Sequence, residues 1–488
     1  MEILLALVNV PLNDISLHYT KTHRMKQFVA AILLLLSVSS FAQTDSITLA
    51  RFFETALAKD KAYSDLHDLC KLCGPRLSGS SGANKAVSLV EKILKAEGLD
   101  SVWLQEVKVP HWVRGEHESA SIIYTSTSKN VKPNLAIVKV CALGGSIPTP
   151  AAGLTAQVIE VKGLEQLTKI NPADIKGKIV FFNEAFDQSL RVTFQAYSKA
   201  GPQRWAGAAE AAKYGAIGVV VRSMAQHIDD WPHTGSMGYK DSVNKIPAIA
   251  ISTQGAELLS ESLKKDKNIR FTFHTGCYTL PDTQSYNVIG EIKGTERPNE
   301  IIIVGGHLDS WDLAEGAQDD GAGIVQSIEV LRLFKTLGIR PRHTIRFVAY
   351  MNEENGTRGG RKYAEWARTS GEKHIAAIES DAGGFTPRGF SLEGSDTIRA
   401  LVKKKWKTLM DKFEIGSLDD IGSGADVGYL QGNAKLLAEL HPDSQRYFDF
   451  HHNARDTWEN VNDRELEMGA AAMASFVYLI DKYGLDGE

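Results

Sequence analysis

The segment GGHLDSWDLAEGAQDDGAG, residues 305–323, places one histidine and five carboxylates within nineteen positions. It follows an aliphatic run at 301–304 that predicts a buried strand. Carboxylates held this close repel one another, so either water screens them or a cation lies among them. The side chains that could bind such a cation are His307, Asp309, Asp312, Glu315, Asp319 and Asp320.

Further metal-type ligands follow two more predicted strands and a later turn. Because ligands bind beyond the carboxyl ends of strands in open α/β sheets, we expect these residues to converge on one place. Imidazoles and carboxylates are donors that zinc accepts, and there are enough of them for two ions that share a bridging ligand. The further donors are Glu353-Glu354 after the strand at 343–350, Asp381 after the strand at 375–378, and His451-His452.

The arrangement of strands and helices that must position these residues is of the α/β class. From residue 284 onward, strand and helix patterns alternate, which predicts a mostly parallel sheet covered by helices. A different pattern at 131–283, with short apolar strands and an Ala-rich helix, predicts an inserted, smaller α/β domain. We therefore predict a catalytic domain in two parts, 43–130 and 284–488, that is interrupted by this insertion.

The N-terminus predicts export. Residues 25–42 have a lysine, an apolar run and a small-x-small end, which is the layout of a signal peptide cleaved before Gln43. Residues 1–24 lack export character, so we expect translation to start at Met25. The apolar run is short for a membrane span of about 20 residues. We expect a secreted or periplasmic protein without stable membrane insertion after signal removal; a retained membrane anchor is the alternative.

Composition excludes some classes of protein. The 488 residues are 43% hydrophobic and 23% charged, as in ordinary globular proteins. A formal net charge of −4 provides no basic surface for nucleic acid, so no nucleic-acid partner is expected. Cys70 and Cys73 form half of a zinc-ribbon pattern whose second half is missing, and we expect them to pack as small apolar groups.

Five motifs, taken in order, resemble a known enzyme family. They are similar to the co-catalytic dizinc exopeptidases of the aminopeptidase type and, within that family, to the plasma glutamate carboxypeptidase group. Each motif alone is a weak signal, whereas five in the same order are a strong one. The likeness runs from residue 74 to the C-terminus, and the insertion resembles the protease-associated domain of that family. The motifs are HLDSWD, GAQDDGAG, NEENG, ESDAGG and HHNARDT.

The resemblance implies two zinc ions per chain and assigns their ligands. Asp319 would bridge both ions, because the family's bridge precedes one acid or amide and then a small-small-Gly run. His452 is favoured over His451, since it stands four residues before an acidic residue as the family's ligand does. By resemblance, the ligands are His307 and Asp381 for one zinc, Glu354 and His452 for the other, and Asp319 for both.

The resemblance also implies roles outside the ligand set. Asp309 would orient His307 through the free ring nitrogen, and Glu353 would be the general base. A cis peptide bond is expected after Asp319. His451 stands where some relatives carry a tyrosine, so its role stays open, as does that of Asp426.

The implied activity is that of a secreted dizinc metallo-exopeptidase that hydrolyses dipeptides or short peptides with a water shared by both ions and activated by Glu353. The resemblance also implies a homodimer. The alternatives are a glutaminyl cyclase-like enzyme and a non-catalytic binding ectodomain on a peptidase scaffold. Because 131–283 contains none of the five ligands, we expect that segment to select substrate without holding the ligands. Side-chain preference and aminopeptidase or carboxypeptidase emphasis stay open.

Overall fold

The computed structural model describes residues 44–124 and 134–486. The predicted start at 1–24 and signal peptide at 25–42 lie outside the described residues. The chain divides after Arg51 into two compact units, and the second, Phe52–Glu488, contains both sheets described below. A search of the described residues finds no helix with the length and apolar character needed to cross a membrane.

The secondary structure of the described residues consists of strands and helices numbered here in chain order. The strands are β1 Ser101–Val113, β2 Ser119–Ile123, β3 Leu135–Val138, β4 Val140–Ala142, β5 Leu154–Val161, β6 Ile179–Phe182, β7 Gly218–Arg222, β8 Ala248–Ile251, β9 Arg270–His274, β10 Tyr278–Ile292, β11 Arg297–His307, β12 His343–Tyr350, β13 Lys373–Glu379, β14 Pro387–Gly394 and β15 Ala434–Pro442. The α-helices are α1 44–59, α2 Lys61–Asp68, α3 Ser81–Ala96, α4 Gly163–Leu167, α5 Pro172–Ile175, α6 Thr193–Ala200, α7 Pro202–Trp205, α8 Gly207–Lys213, α9 Thr253–Lys265, α10 Ala322–Thr336, α11 Arg358–Thr369, α12 Asp396–Met410 and α13 Asp463–Tyr483.

One sheet has seven strands in the order β1-β10-β12-β11-β13-β15-β14. The central strands β12, β11, β13 and β15 run parallel, whereas β10, β1 and β14 pair antiparallel. The sheet is therefore mixed, and the predicted mostly parallel arrangement holds only for its centre. Sequence alternation of strand and helix suggested crossovers throughout, but the long strands β1 and β10 pair with each other directly as an antiparallel ribbon at one edge.

Burial explains why the centre of this sheet is parallel. All eight residues of β12 are buried, as are 301–307 of β11 and 374–379 of β13. Strands that are apolar on both faces require helices on both sides, and parallel crossovers supply them. Helix α10 packs against β11, α13 and α2 and is buried around nearly its whole circumference. Cys70 lies in the apolar cluster between these helices, and all four cysteines are free and buried.

A second sheet of eight strands has the order β3-β2-β9-β5-β6-β7-β8-β4. Its core is aliphatic and aromatic, and β6, β7 and β8 are buried along their whole length. Most of its strands fall within the predicted insertion at 131–283. Strand β2 lies before that range and belongs to this sheet, and β10 of the other sheet crosses its end. The domain boundaries and the likeness to a protease-associated domain stay predictions.

Arg76 fixes the loop between β11 and α10, from which several site residues project. Its side chain is fully buried and donates to three backbone carbonyls, those of Leu308 (2.9 Å), Gly316 (2.9 Å) and Glu315. The backbone N–H of Arg76 also donates to the hydroxyl of Ser310, at 3.1 Å. One guanidinium therefore satisfies carbonyls at both ends of a loop that has no regular secondary structure to satisfy them.

Replacing Arg76 by alanine should leave these buried carbonyls without donors. We expect Arg76→Ala to lower the free energy of unfolding by about 3 kcal/mol or more, measured by urea denaturation. Lys71→Ala is the matched control, because Lys71 binds the side chains of Glu315 and Glu459 near the surface and should change stability by less than about 1 kcal/mol. Equal losses for the two variants would contradict this role of Arg76.

Candidate metal centre

The predicted ligands meet at the carboxyl ends of three neighbouring parallel strands. His307 is the last residue of β11, Glu354 follows β12, and Asp381 follows β13. Asp319 lies in the kinked turn Ala317–Gly321 that leads into α10, and neither Asp319 nor Asp320 has helical backbone angles. The turn contains a cis peptide bond between Asp319 and Asp320, as the resemblance implies. His452 follows a 3₁₀ turn at Ser444–Asp449.

Asp319 stands between two sets of side chains. On one side, His307 Nε2 lies 3.1 Å from Asp319 Oδ1 and 3.2 Å from Asp381 Oδ1. On the other side, His452 Nε2 lies 3.2 Å from Asp319 Oδ2 and 3.2 Å from Glu354 Oε2. Each oxygen of the Asp319 carboxylate therefore faces a different imidazole and a different second carboxylate.

The neighbouring Asp320 and His451 could also contribute donor atoms, since both occur in groups compatible with a metal ion. The Asp320 carboxylate is already bonded to backbone, because it accepts from the N–H groups of His307 (3.0 Å) and Gly323 (2.9 Å). His451 Nε2 is 3.9 Å from Asp319 Oδ2, farther than His452 Nε2. These contacts favour Asp319 and His452 within the two pairs.

Asp309 contacts both His307 and the loop that carries Glu353. The ring nitrogen Nδ1 of His307 lies 2.8 Å from the backbone carbonyl oxygen of Asp309. The Asp309 carboxylate accepts instead from the backbone N–H groups of Asn352 (2.6 Å) and Glu353 (3.0 Å). Asp309 thus orients the histidine through its main chain and fixes the backbone at Glu353 through its side chain.

The pKa values of the group show how unfavourable it is to bury these charges together. Burial, reinforced by the nearby acids, raises the pKa of Glu353 to about 8 and that of Asp381 to about 6. Burial and the Asp319 charge raise the pKa of Glu354 well above its usual value. Burial also opposes ionisation of Asp319, but hydrogen bonds from the two imidazoles hold its pKa well below the usual value.

His452 is held by the segment that carries the second sheet. The backbone N–H of Thr234 donates to the carbonyl of His452 at 2.9 Å, and His452 Nδ1 lies 3.3 Å from the carbonyl of Thr234. His452 has a φ of 62°, a left-handed conformation that is uncommon for non-glycine residues. Residues 131–283 therefore contribute hydrogen bonds to a predicted ligand, and the expectation that the ligands stay in place without that segment stays a prediction.

A cavity of about 510 Å³ opens onto this group. One wall carries Asp319, Glu353, Glu354 and Asp381 from the seven-stranded sheet. A second part of the lining comes from the other sheet's helices and loops. It consists of Phe194, Tyr197, Arg204, Trp205 and Ser236. Sequence reasoning missed this second part of the lining, because neither its residue types nor their spacing gives a signal that relates them to the motifs.

Comparison with known proteins identifies the family. The profile of Peptidase family M28 matches residues 287–477. Carboxypeptidase Q of Bos taurus is 35% identical over 423 residues, which are 87% of this chain and 86% of the bovine protein. Carboxypeptidase Q of Homo sapiens has the same identity over the same shares. The chain belongs to peptidase family M28.

Solved structures of this family show the same fold. The crystal structure of a peptidase M28 precursor from Shewanella amazonensis superimposes with a TM-score of 0.83 at 32% identity, covering 90% of this chain and 97% of that one. A zinc aminopeptidase from Bacillus subtilis shares the fold with a TM-score of 0.59 at 21% identity, over 86% of this chain and 95% of that one. This chain thus belongs to a family of peptidases, as the motifs indicated, and the Bacillus subtilis protein that shares its fold is a zinc aminopeptidase.

The donor set of this M28 chain fits zinc. It combines two imidazoles with carboxylates, all nitrogen or oxygen donors, around an almost fully buried centre. Without a cation, several of these acids would have to stay protonated, as their raised pKa values show. A bound cation lets them ionise together.

Zinc affinity should rise with pH between pH 6 and 8. The pKa of Asp381 is raised to about 6, and those of Glu354 and His307 are raised well above their usual values, so protons compete with the metal at low pH. Competition titration against a colorimetric chelator, calibrated alone at each pH, measures this dependence. An affinity that stays constant or falls over this range would contradict the assignment of these side chains as ligands.

Proposed function

We propose that the protein is a dizinc exopeptidase that hydrolyses dipeptides or short peptides. The observation that carries this proposal is the position of Asp319, whose two carboxylate oxygens face different imidazole–carboxylate pairs. A carboxylate placed in this way suits a bridge between two ions. Export through residues 25–42 and a homodimer rest on the sequence alone and stay predictions.

The proposed ligands divide into two sets that share Asp319. His307 and Asp381 would hold one zinc ion, and Glu354 and His452 the other. Zinc bound there would supply Lewis acidity toward a peptide carbonyl and lower the pKa of water. Main-chain contacts keep the ligands in place, since Trp311 N–H donates to Glu354 Oε1 at 3.1 Å and the carbonyl of Asp309 faces His307.

Glu353 is the proposed general base. It lines the cavity beside Asp319 and Asp381, and its carboxylate takes no part in either proposed ligand set. Burial and the surrounding acids raise its pKa to about 8 before a cation binds, and a bound cation would favour the carboxylate form that accepts a proton. Glu353 would take the proton of the attacking water and deliver it to the nitrogen of the leaving amine.

Metal content and substrate range test the proposal directly. Purified zinc-loaded protein should contain two zinc ions per chain and hydrolyse dipeptides that have a free amino terminus. N-acetylated dipeptides should separate an aminopeptidase requirement from simple dipeptide hydrolysis. Conversion of glutaminyl peptides to pyroglutamyl peptides with release of ammonia would favour the cyclase alternative, and metal binding without turnover of either substrate would favour a binding ectodomain.

Two adjacent glutamates provide a matched pair of variants. Glu353→Gln keeps the shape and removes the carboxylate that accepts the proton, so turnover of dipeptides should fall by roughly 10²–10⁴-fold while zinc content stays unchanged. Glu354→Gln weakens a proposed ligand, so zinc should be lost together with turnover. Elemental analysis and steady-state kinetics on both variants measure these effects. Loss of zinc from Glu353→Gln with retention by Glu354→Gln would reverse the two assignments.

A further inference from the structure

The part of the cavity lining that comes from the segment of the second sheet contains a buried cation without an acidic partner. Arg204 lies on the short helix α7, and only 4% of its surface is exposed. Among the residues that the structure describes, no carboxylate oxygen lies within 4.0 Å of its guanidinium nitrogens. A buried charge without a partner is costly, so this position calls for an explanation.

The hydrogen-bonding capacity of the Arg204 guanidinium is largely unused. Nη2 donates to the hydroxyl of Tyr197 at 2.7 Å, while Nε has no partner. Nη1 lies 3.4 Å from Nδ1 of His452. When Nε2 of His452 binds a metal ion, the ring proton lies on Nδ1, which then donates to the carbonyl of Thr234 at 3.3 Å and cannot accept from Arg204. Nη1 therefore lacks an acceptor, as does Nε, which is itself shielded from the cavity.

The guanidinium is also held in a fixed position. It lies over the rings of Tyr197 and Trp205, with its central carbon 5.4 Å and 5.5 Å from the ring centroids. Gly235 has a φ of 135°, and a Cβ added there would lie 2.4 Å from Nη1. Any larger residue at that position would therefore displace the guanidinium. Arg204 is thus oriented in advance, with donors left over for an anion.

We propose that Arg204 binds the C-terminal carboxylate of the peptide substrate, an inference that rests on the proposed function. Only the His452 ring separates the guanidinium from the carboxylates of Asp319 and Glu354. A peptide whose scissile carbonyl lay at that centre would bring the end of the next residue toward Arg204, which lines the same cavity. A terminal carboxylate would supply the missing acceptor and neutralise the charge, whereas the amide of a longer chain cannot neutralise it.

This assignment makes the leaving residue the last residue of the peptide. The enzyme would then require a free C-terminal carboxylate on its substrate. A dipeptide is the shortest peptide that meets this requirement. The other cation at the cavity, Arg361, is exposed, and it lies over the ring of Tyr429 and donates to the hydroxyl of Thr357 at 3.1 Å. Arg361 therefore serves as a control for a general effect of positive charge.

The test compares a free dipeptide with its amide. Zinc-loaded full-length protein, wild type and variants, is assayed with Ala-Leu and with Ala-Leu amide. The wild type should favour the free acid by roughly 10- to 100-fold in kcat/KM, the range expected for hydrogen bonds to a charged group. Arg204→Gln should lose this preference and change the rate on the amide only a few-fold, whereas Arg361→Gln should keep it. Arg204→Lys, which keeps the charge but not the fork, should retain part of it.

Three results would overturn the inference. Equal hydrolysis of acid and amide by the wild type would refute it and leave the proposed exopeptidase intact. Equal loss on both substrates in Arg204→Gln and Arg204→Lys, with reduced zinc content, would mean that Arg204 only steadies His452. Hydrolysis of Ala-Glu amide as fast as Ala-Leu would assign Arg204 to a side-chain carboxylate. If the zinc-loaded wild type cleaves neither Ala-Leu nor its amide, the proposed function itself fails.

Discussion

Asp319 directs one carboxylate oxygen toward His307 and the other toward His452, and the surrounding contacts keep that carboxylate in place. The Asp456 carboxylate accepts hydrogen bonds from the backbone N–H groups of Gln318 and Asp319, with N···O distances of 2.6 Å and 3.2 Å. Arg76, which lies between α2 and α3, donates to carbonyls of the loop that precedes Asp319. A carboxylate shared by two ions must face both ligand pairs at once. The contacts from Asp456 and Arg76 hold it in that position from separate parts of the chain.

The second sheet takes part in the chemistry through its loops and helices. Thr234 binds both the backbone and the ring of His452, and Arg204 and Tyr197 line the same cavity as Glu353. One segment therefore both positions a proposed ligand and offers an anion-binding group to the substrate. Changes in this segment would be expected to alter metal retention as well as specificity.

Much of the site could be predicted from sequence because its ligands adjoin strands with clear apolar patterns. His307, Glu354 and Asp381 each follow such a strand, and parallel strands bring their carboxyl ends together. The antiparallel edges were not predicted, because the register of β1 and β10 depends on pairing between distant segments. Arg204 and Thr234 lie 248 and 218 positions from His452, and no local pattern relates them. Asp309 was predicted to contact His307, but the atom that does so could not be predicted. The contact is made by the backbone carbonyl of Asp309 and not by its carboxylate.

Anomalous diffraction at the zinc absorption edge, from crystals of the zinc-loaded protein, tests the shared-carboxylate arrangement most directly. The account predicts two zinc peaks, one on each side of the Asp319 carboxylate, with the first beside His307 and Asp381 and the second beside Glu354 and His452. A single peak in fully active protein, or two peaks bridged by Asp320 in place of Asp319, would contradict it.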